Sequence, residues 1–367
     1  MISQTSYYPH RFFRQTTDQM GFEFYTPLGG KRARWLSQKA LVDRLAWLLP
    51  QVAPGEINVH TTELSGNASF VQFVRLHRLT YRPTGTVLHV VEKSIRKLVG
   101  ISSLETRFYR EGDMLKGSKH FQHPRCYGVI ETPWESLIFC EYVQGLAPHM
   151  PAIAAQVAQG IAELESRTHD HLKDADLSQR WRHWQMDFFR PWYLMRPRFR
   201  FAQYLSYLKP LAADDPQFEG LEHRLRGFVK ELHDQAVRAK PTPHCFCHLD
   251  YLRKNLFLSP QGLQLIDWSE VKIGRVGFDA GSYLSAVYRR SEMPRYEQVR
   301  DLFLASYRQA LDARFDIDQV MANVRYVFLL NSLWHCLRPK TIAEFQQRGK
   351  LPLLAAKLRY LLALKPL

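Results

Sequence analysis

Cysteine is scarce and odd in number, five among 367 residues. A disulfide-built scaffold is thereby excluded, since such frameworks pair even sets of cysteines in short secreted chains. Long apolar runs are missing too. The longest, from Leu351 to Leu364, is broken by Lys357 and Arg359 and falls short of the ~20 apolar residues a membrane-crossing helix needs, so it reads as a packing helix. The first 25 residues mix Arg, His, Gln and Asp with aromatics and hold no apolar signal-peptide core, so the expected compartment is the cytoplasm. There is no repeat of about 20–50 residues and no low-complexity linker, which removes solenoids, propellers and tethered arrays. Acids are in short supply: 35 Asp plus Glu face 50 Lys plus Arg, a net charge of +15. Such a balance favours an anionic partner or substrate over a cationic one. What remains is ordinary globular material, 46% hydrophobic and 23% charged, enough for two structural units at roughly 150 residues each.

Residues 1–60 read as an N-terminal extension that is partly helical. A basic, glycine-containing stretch (Gly29 to Arg34) precedes a helical pattern in Leu41, Leu45, Leu48 and Leu49, which Pro50 closes. Residues 61–145 have the texture of strands, from Phe70 to Leu79, Val87 to Lys93 and Leu137 to Val143, with turn signals at Pro83 to Gly85 and at Pro133. One helix, predicted from Ser103 to Lys116, interrupts them. Residues 146–367 are mainly helical around a β island at 244–268. The expected fold class is therefore α+β, a small β-rich unit followed by a larger helical one, with the boundary near Gly145 to Pro151.

The β island carries the chemistry. Its first residues, His244, Cys245, Cys247 and His248, raise the question of a metal, and strand alternation sends both thiols to one face. C-x-C lacks the two-to-four-residue spacing of zinc knuckles and no second pair is suitably placed, so a buried strand is the preferred reading. The island continues as His248-Leu249-Asp250-Tyr251-Leu252-Arg253-Lys254-Asn255 and, after a turn at Ser259 to Gly262, ends in Ile266-Asp267-Trp268. Two acids and an amide are thus presented at the ends of a hairpin. Phosphoryl transfer needs such a set: one carboxylate to orient or deprotonate the attacking hydroxyl, and hard oxygens to hold Mg²⁺ on the phosphates. Asp250 suits the first role, Asn255 and Asp267 the second.

H-x-D-x-x-x-x-N followed by I-D-W resembles the catalytic and metal-binding loops of the aminoglycoside phosphotransferase and choline kinase family. That resemblance implies a two-lobed, protein-kinase-like fold that uses ATP and Mg²⁺. It extends to Gly277-Phe278-Asp279-Ala280-Gly281, where Asp279 is expected to be a structural N-cap beside the catalytic loop and not a reacting group. A kinase-like small lobe also requires a strand lysine for the phosphates and a helix glutamate to hold it. Lys93, at the end of Val90-Val91-Glu92-Lys93, fits the lysine. Glu105 fits the glutamate, in a segment similar to the family's E-x-x-F-Y. Ser102-x-x-Glu105 is equally a capping box, in which case Glu111 is the fallback. Ser65 and Gly66 lie in the loop expected to cover the phosphates, with one glycine where protein kinases have three. Backbone groups of Glu141 and Val143 are expected to read adenine.

The implied function is transfer of the γ-phosphate of ATP to a hydroxyl of a small molecule. Charge favours an anionic sugar or lipid-linked saccharide as acceptor. Choline, ethanolamine and aminoglycosides are the alternative acceptors, and a protein kinase or pseudokinase scaffold is the alternative class. Between Arg180 and Arg200, arginines 182, 190, 196 and 198 accompany Trp181, Trp184, Phe188 and Trp192 at helical spacing. This stretch suggests an anionic acceptor or peripheral contact with an anionic membrane surface at its inner face. Nucleic acid is disfavoured, because neither a helix-turn-helix pattern nor an aromatic strand platform is present.

Overall fold

The computed structural model describes residues 42, 43, 45, 53–65, 71–97, 103–111, 114–146, 148–172, 181, 183 and 201–364. Strands β1 (Ile57–Ser65), β2 (Val71–Tyr81) and β3 (Val87–Arg96) come first. Helix α1 (Leu104–Glu111) follows, then β4 (Cys126–Glu131) and β5 (Glu135–Glu141). Helices α2 (Met150–His171) and α3 (Leu221–Ala239) precede four short strands. These are β6 (His244–Cys247), β7 (Leu256–Ser259), β8 (Gly262–Leu265) and β9 (Lys272–Arg275). Then come α4 (Phe278–Arg290), α5 (Met293–Ala310), α6 (Ile317–Leu337), α7 (Pro339–Gln347) and α8 (Leu351–Ala363). The result is a mixed α+β fold.

The chain divides into two compact units that are discontinuous in sequence. A strand unit gathers the described residues before 114 with 123–147 and 257–269, and a helical unit gathers 114–122, 148–256 and 270–367. The segment bearing Asp267 therefore packs with the strands, although it is embedded in the helical stretch of the sequence.

The strand unit is built on a five-stranded sheet in the order β1-β2-β3-β5-β4. Its alternation sorts side chains onto two faces. Leu45, Val59, Phe73, Leu79, Val90, Leu137 and Phe139 form the core on one face. Ile95, Ile138 and Cys140 pack with Tyr109 and Val129 on the other. Lys93 pairs with Val74 on β2 and Ile138 on β5, which sets its register in the sheet centre. Of the N-terminal helical pattern, Leu45 belongs to this core, whereas Leu41, Leu48 and Leu49 lie outside the described residues, as does the basic stretch at 29–34. Helix α1 is shorter than the sequence suggests: residues 114–117 form a turn, closed by Gly117 at φ 75°.

In the helical unit, close helix contacts depend on glycine. A Cβ on Gly281 of α4 would lie 2.5 Å from the Val324 carbonyl of α6, so any larger residue would force the two helices apart. Strand β6 pairs antiparallel with β9. Cys245 and Cys247 of β6 are fully buried, and burial pushes the Cys247 thiol up to about 12. Both behave as small hydrophobes.

Candidate active site

The loop after β6 is bent by a conformation that its residue type disfavours. Leu249 sits at φ 65°, a region costly for a branched side chain. Asp279, on the second residue of α4, holds the bend. Its carboxylate accepts the peptide N–H of His248 at 2.9 Å, that of Leu249 at 2.8 Å and the Tyr251 hydroxyl at 2.9 Å. From α4 the Ser282 hydroxyl also donates to the Leu249 carbonyl at 2.6 Å. Asp279 is thus a loop anchor. The N-cap of α4 is Gly277, at φ 96°, so the expected N-cap role for Asp279 is corrected to one directed at the neighbouring loop. The loop in turn presents Asp250, half-buried, whose peptide N–H donates to His248 Nδ1 at 3.2 Å. Asn255 donates its amide to the Asp250 carbonyl and to Asp250 Oδ2, both at 2.9 Å. Asp250 and Asn255 therefore form one rigid pair.

A second carboxyl supports this arrangement from α2. Glu165 is fully buried, accepts the Gly277 N–H at 2.8 Å and is bonded by the Tyr307 hydroxyl. Burial pushes Glu165 up to about 8, against the hydrogen bond from Tyr307, and Asp279 adds to the rise. Burial likewise pushes Asp279 up to about 6, against the bonds from His248 and Leu249. A raised acid holds its proton in the folded state over a range where the unfolded chain has released it, so stability falls as pH rises through that window. For Glu165 the window runs from 4.5 to about 8. Glu165→Gln is expected to flatten the decline of unfolding free energy over that range, read from denaturant titrations at stepped pH. Parallel curves for variant and wild type would remove Glu165 as the source.

In the strand unit, Lys93 Nζ donates to Glu105 Oε2 at 2.6 Å and to Asp267 Oδ1 at 2.8 Å. Burial works against the ammonium, but Asp267 and then Glu105 outweigh it and its pKa is raised. Burial pushes the Glu105 carboxyl up while Lys93 pulls it back. The choice between Glu105 and Glu111 is settled by helix register. Ser103, not Ser102, is the residue before the helix; its hydroxyl accepts the Thr106 N–H at 3.0 Å. The capping partner three residues on is therefore Thr106, and Glu105 turns to the lysine. Glu111 pairs instead with Arg107 one turn back, at 3.5 Å. Asp267 itself lies at φ 65°, which a short polar residue tolerates. The neighbouring Trp268 ring stacks on Phe108 of α1 with centroids 3.9 Å apart, fixing the helix that carries Glu105 to the segment that carries Asp267.

The connection after β5 is pinned to the same segment. Leu146 and Leu258 exchange backbone hydrogen bonds of 3.1 and 3.0 Å, and Gly145 is required there because a Cβ would come within 2.7 Å of the Leu258 carbonyl. The Glu141 N–H is committed to the Arg125 carbonyl at 2.8 Å, while Val143 is buried. Ser65 ends β1, and Gly66 lies outside the described residues. So does the arginine-aromatic stretch, apart from Trp181 and His183. Trp181 is buried with its ring edge-on to Phe246 at 4.9 Å, and His183 forms a parallel bridge with Ile273. The backbone is therefore extended at His183, and the continuous helix expected through that position is corrected. Among the described residues no helix is long and apolar enough to cross a membrane. Sequence reasoning missed Glu165, whose only signal is a lone acid on the buried face of α2.

A sequence model described as a phosphotransferase enzyme family, APH, matches residues 120–317. No curated protein matches the chain. Among solved structures, a choline kinase from Cryptosporidium parvum Iowa II is similar at 14% identity and a TM-score of 0.51, over 89% of this chain and 94% of that one. An amicoumacin kinase in complex with AMP-PNP, Ca²⁺ and Ami is similar at 12% identity and a TM-score of 0.52, over 90% and 95%. At such identities the likeness is one of fold.

Proposed function

The chain belongs to the APH phosphotransferase enzyme family, and from that premise we propose that it moves the γ-phosphate of Mg·ATP to a hydroxyl of a small molecule, with Asp250 as the proton acceptor. The observation that carries this reading is the ammonium of Lys93 clamped between Glu105 and Asp267. A strand lysine held in this way is an ordered point charge for the phosphates of a nucleotide. On the helical unit, Asp250 is oriented by Asn255 through both its carbonyl and its Oδ2. A carboxylate so fixed can orient an acceptor hydroxyl and take its proton as the new P–O bond forms. The carbonyl of Glu141 and the peptide of Val143 are the groups assigned to the adenine edge, and the backbone at Ser65 and Gly66 to the phosphates.

Each of the two residues assigned to Mg²⁺ supplies a hard oxygen of the kind that ion takes. Asn255 engages Asp250 through its amide nitrogen, which leaves the side-chain oxygen as the ligand atom, and Asp267 offers a carboxylate. Mg²⁺ takes such hard oxygens one or two at a time and completes its shell with water and phosphate. When bound it would offset charge on the phosphates. For the acceptor, the excess of base over acid supports an anionic sugar or lipid-linked saccharide over polycations such as aminoglycosides.

The test is Asp267→Ala. Mg·ATP affinity measured by calorimetry is expected to fall about tenfold or more, and Asn255→Ala to weaken it less, since a lost carboxylate ligand is poorly replaced by water. Unchanged affinity in both variants would remove the metal assignment.

A further inference from the structure

Two of the five cysteines face each other across neighbouring strands of the strand unit. Cys126 opens β4 and Cys140 is the last residue but one of β5, and the antiparallel register makes them direct partners. The Glu141 N–H donates to the Arg125 carbonyl at 2.8 Å on the adjoining rung, so Cys126 and Cys140 occupy a non-hydrogen-bonded position of the ladder. Side chains approach closest in pairs of that kind, with Cα atoms about 4.5 Å apart, inside the ~4.4–6.8 Å that a disulfide spans. Both thiols join one apolar cluster with Ile95, Ile138, Tyr109 and Val129. Strand β4 is an edge strand, held on one side only, and its register shifts between Cys126 and Gly128. A bulge lets the strand bend locally, which eases the small closure an S–S bond requires.

The two thiols are chemically unequal. Cys126 is half-buried and Cys140 is buried. The hydrogen bond between them is the largest influence on both: it lowers the Cys126 pKa against burial and, together with burial, raises that of Cys140 well above its ordinary value. Thiolate character and solvent access thus coincide on Cys126, as an attacking thiol requires, and Cys140 stands behind it as the resolving thiol. Cys245 and Cys247 offer the contrast. Their Sγ atoms are 3.6 Å apart, yet both are fully buried on a single strand and burial raises both pKa values, so a dissolved oxidant does not reach them. The Cys126 and Cys140 pair also stands beside the lysine. Cys140 pairs with Val91 on β3, and Ile138 pairs with Lys93, so alternation places Cys140 on the face that carries Lys93, one same-face position along. Tyr109 packs on this cluster from α1, the helix that carries Glu105.

We propose that Cys126 and Cys140 are a modification site, forming a reversible cross-strand disulfide that weakens Mg·ATP binding while it is present. The oxidant is a low-molecular-weight disulfide such as glutathione disulfide. The Cys126 thiolate attacks one of its sulfurs, a bond forms between Cys126 Sγ and glutathione, and the departing thiolate takes up the proton that Cys126 released. Cys140 then gives up its proton and attacks Cys126 Sγ, which breaks the mixed disulfide and expels the second glutathione. Two protein thiols are oxidised, and one small disulfide is reduced to two thiols. Drawing edge strand β4 onto β5 would turn the Cys140 sulfur from Tyr109 toward Cys126 and shift the backbone next to Glu141, whose carbonyl is assigned to adenine. The effect on nucleotide rests on the phosphotransferase reading; the disulfide itself does not.

The experiment incubates the full chain in mixtures of reduced glutathione and glutathione disulfide, quenches each in acid, and maps the cysteines by mass spectrometry after alkylation of the remaining thiols. Mg·ATP affinity of each unquenched sample is measured by calorimetry. Wild type is expected to yield a linked Cys126 and Cys140 peptide lighter by two hydrogens and to bind Mg·ATP about fivefold or more weakly, as couplings between sites run. Dithiothreitol should restore both the thiols and the affinity. Cys140→Ser should stop at the mixed disulfide on Cys126. Cys126→Ser should take up no glutathione at Cys140 and hold its affinity in every mixture. Wild-type protein in which both cysteines remain thiols throughout, a bond that links other cysteines, glutathione on Cys140 instead of Cys126, or a disulfide with unchanged Mg·ATP affinity would each overturn the proposal. The wild-type map decides the bond even where a Ser variant fails to fold. A reduced wild type that binds no Mg·ATP would instead sink the kinase reading, while the map still decides the disulfide.

Discussion

Asp250→Asn is expected to lower the rate of phosphoryl transfer by about 10²–10⁴, the usual contribution of a positioned general base, while Mg·ATP affinity changes by no more than a few-fold. The substitution is nearly isosteric, and the loop around it is determined by groups other than the Asp250 carboxylate. Asp279 holds the peptide N–H groups of His248 and Leu249, and Ser282 holds the Leu249 carbonyl. Asn255 keeps its bond to the Asp250 carbonyl in the variant, and its second bond needs only an oxygen, which an asparagine also supplies. Shape and backbone should therefore persist while the ability to accept a proton is lost. Single-turnover transfer to the best acceptor, with binding of Mg·ATP by calorimetry and unfolding by denaturant as controls, separates the chemical step from folding. Retention of more than about a tenth of the wild-type rate would take Asp250 out of the base role.

What could be read from the sequence follows from how local each signal is. Strands β2, β3 and β5 occupy the middle of the sheet, and their apolar alternation announces them. Strands β1 and β4 form its edges; the polar residues of His60, Thr61 and Thr62 in β1 dilute the pattern, and neither strand was singled out. Asp250, Asn255 and Asp267 were legible because a hairpin brings them within eighteen residues of one another in sequence. The sequence leaves the partner of Lys93 open between Glu105 and Glu111, because a one-residue shift of the helix start, from Ser102 to Ser103, decides whether Glu105 serves the backbone or the lysine. Glu165 lies far from the loop in sequence, and one buried acid among the three of α2 carries no periodic or motif signal. The basic excess was plain in the composition, but its place was not. Sequence reasoning assigned it to the arginines between 180 and 200, which lie outside the described residues.

Lys93→Met is expected to reduce kcat/KM by about 10²-fold or more, comparable with removing one preorganised donor to a developing charge. Its pattern of coupling is the sharper result. Glu105 and Asp267 both lean on this ammonium, at 2.6 and 2.8 Å, so Glu105→Gln in the Lys93→Met background should add little. The interaction energy between positions 93 and 105 should fall in the range of about 0.5–3 kcal/mol typical of residues in one network. Glu111 faces Arg107 instead, and its replacement by Gln should combine with Lys93→Met additively. A structural readout runs beside the kinetic one. Without the ammonium, two nearby carboxyls in a buried setting lose their shared counter-charge, and their pKa values must rise. By linkage, the Lys93→Met protein should then lose stability relative to wild type as pH climbs from about 5 toward 8, and recover it on acidification. Restoring neutrality with Glu105→Gln should remove most of that pH dependence. Coupling at Glu111 in place of Glu105, or a Lys93→Met variant whose stability tracks wild type across that pH range, would mean that the lysine is held by something other than these two carboxylates.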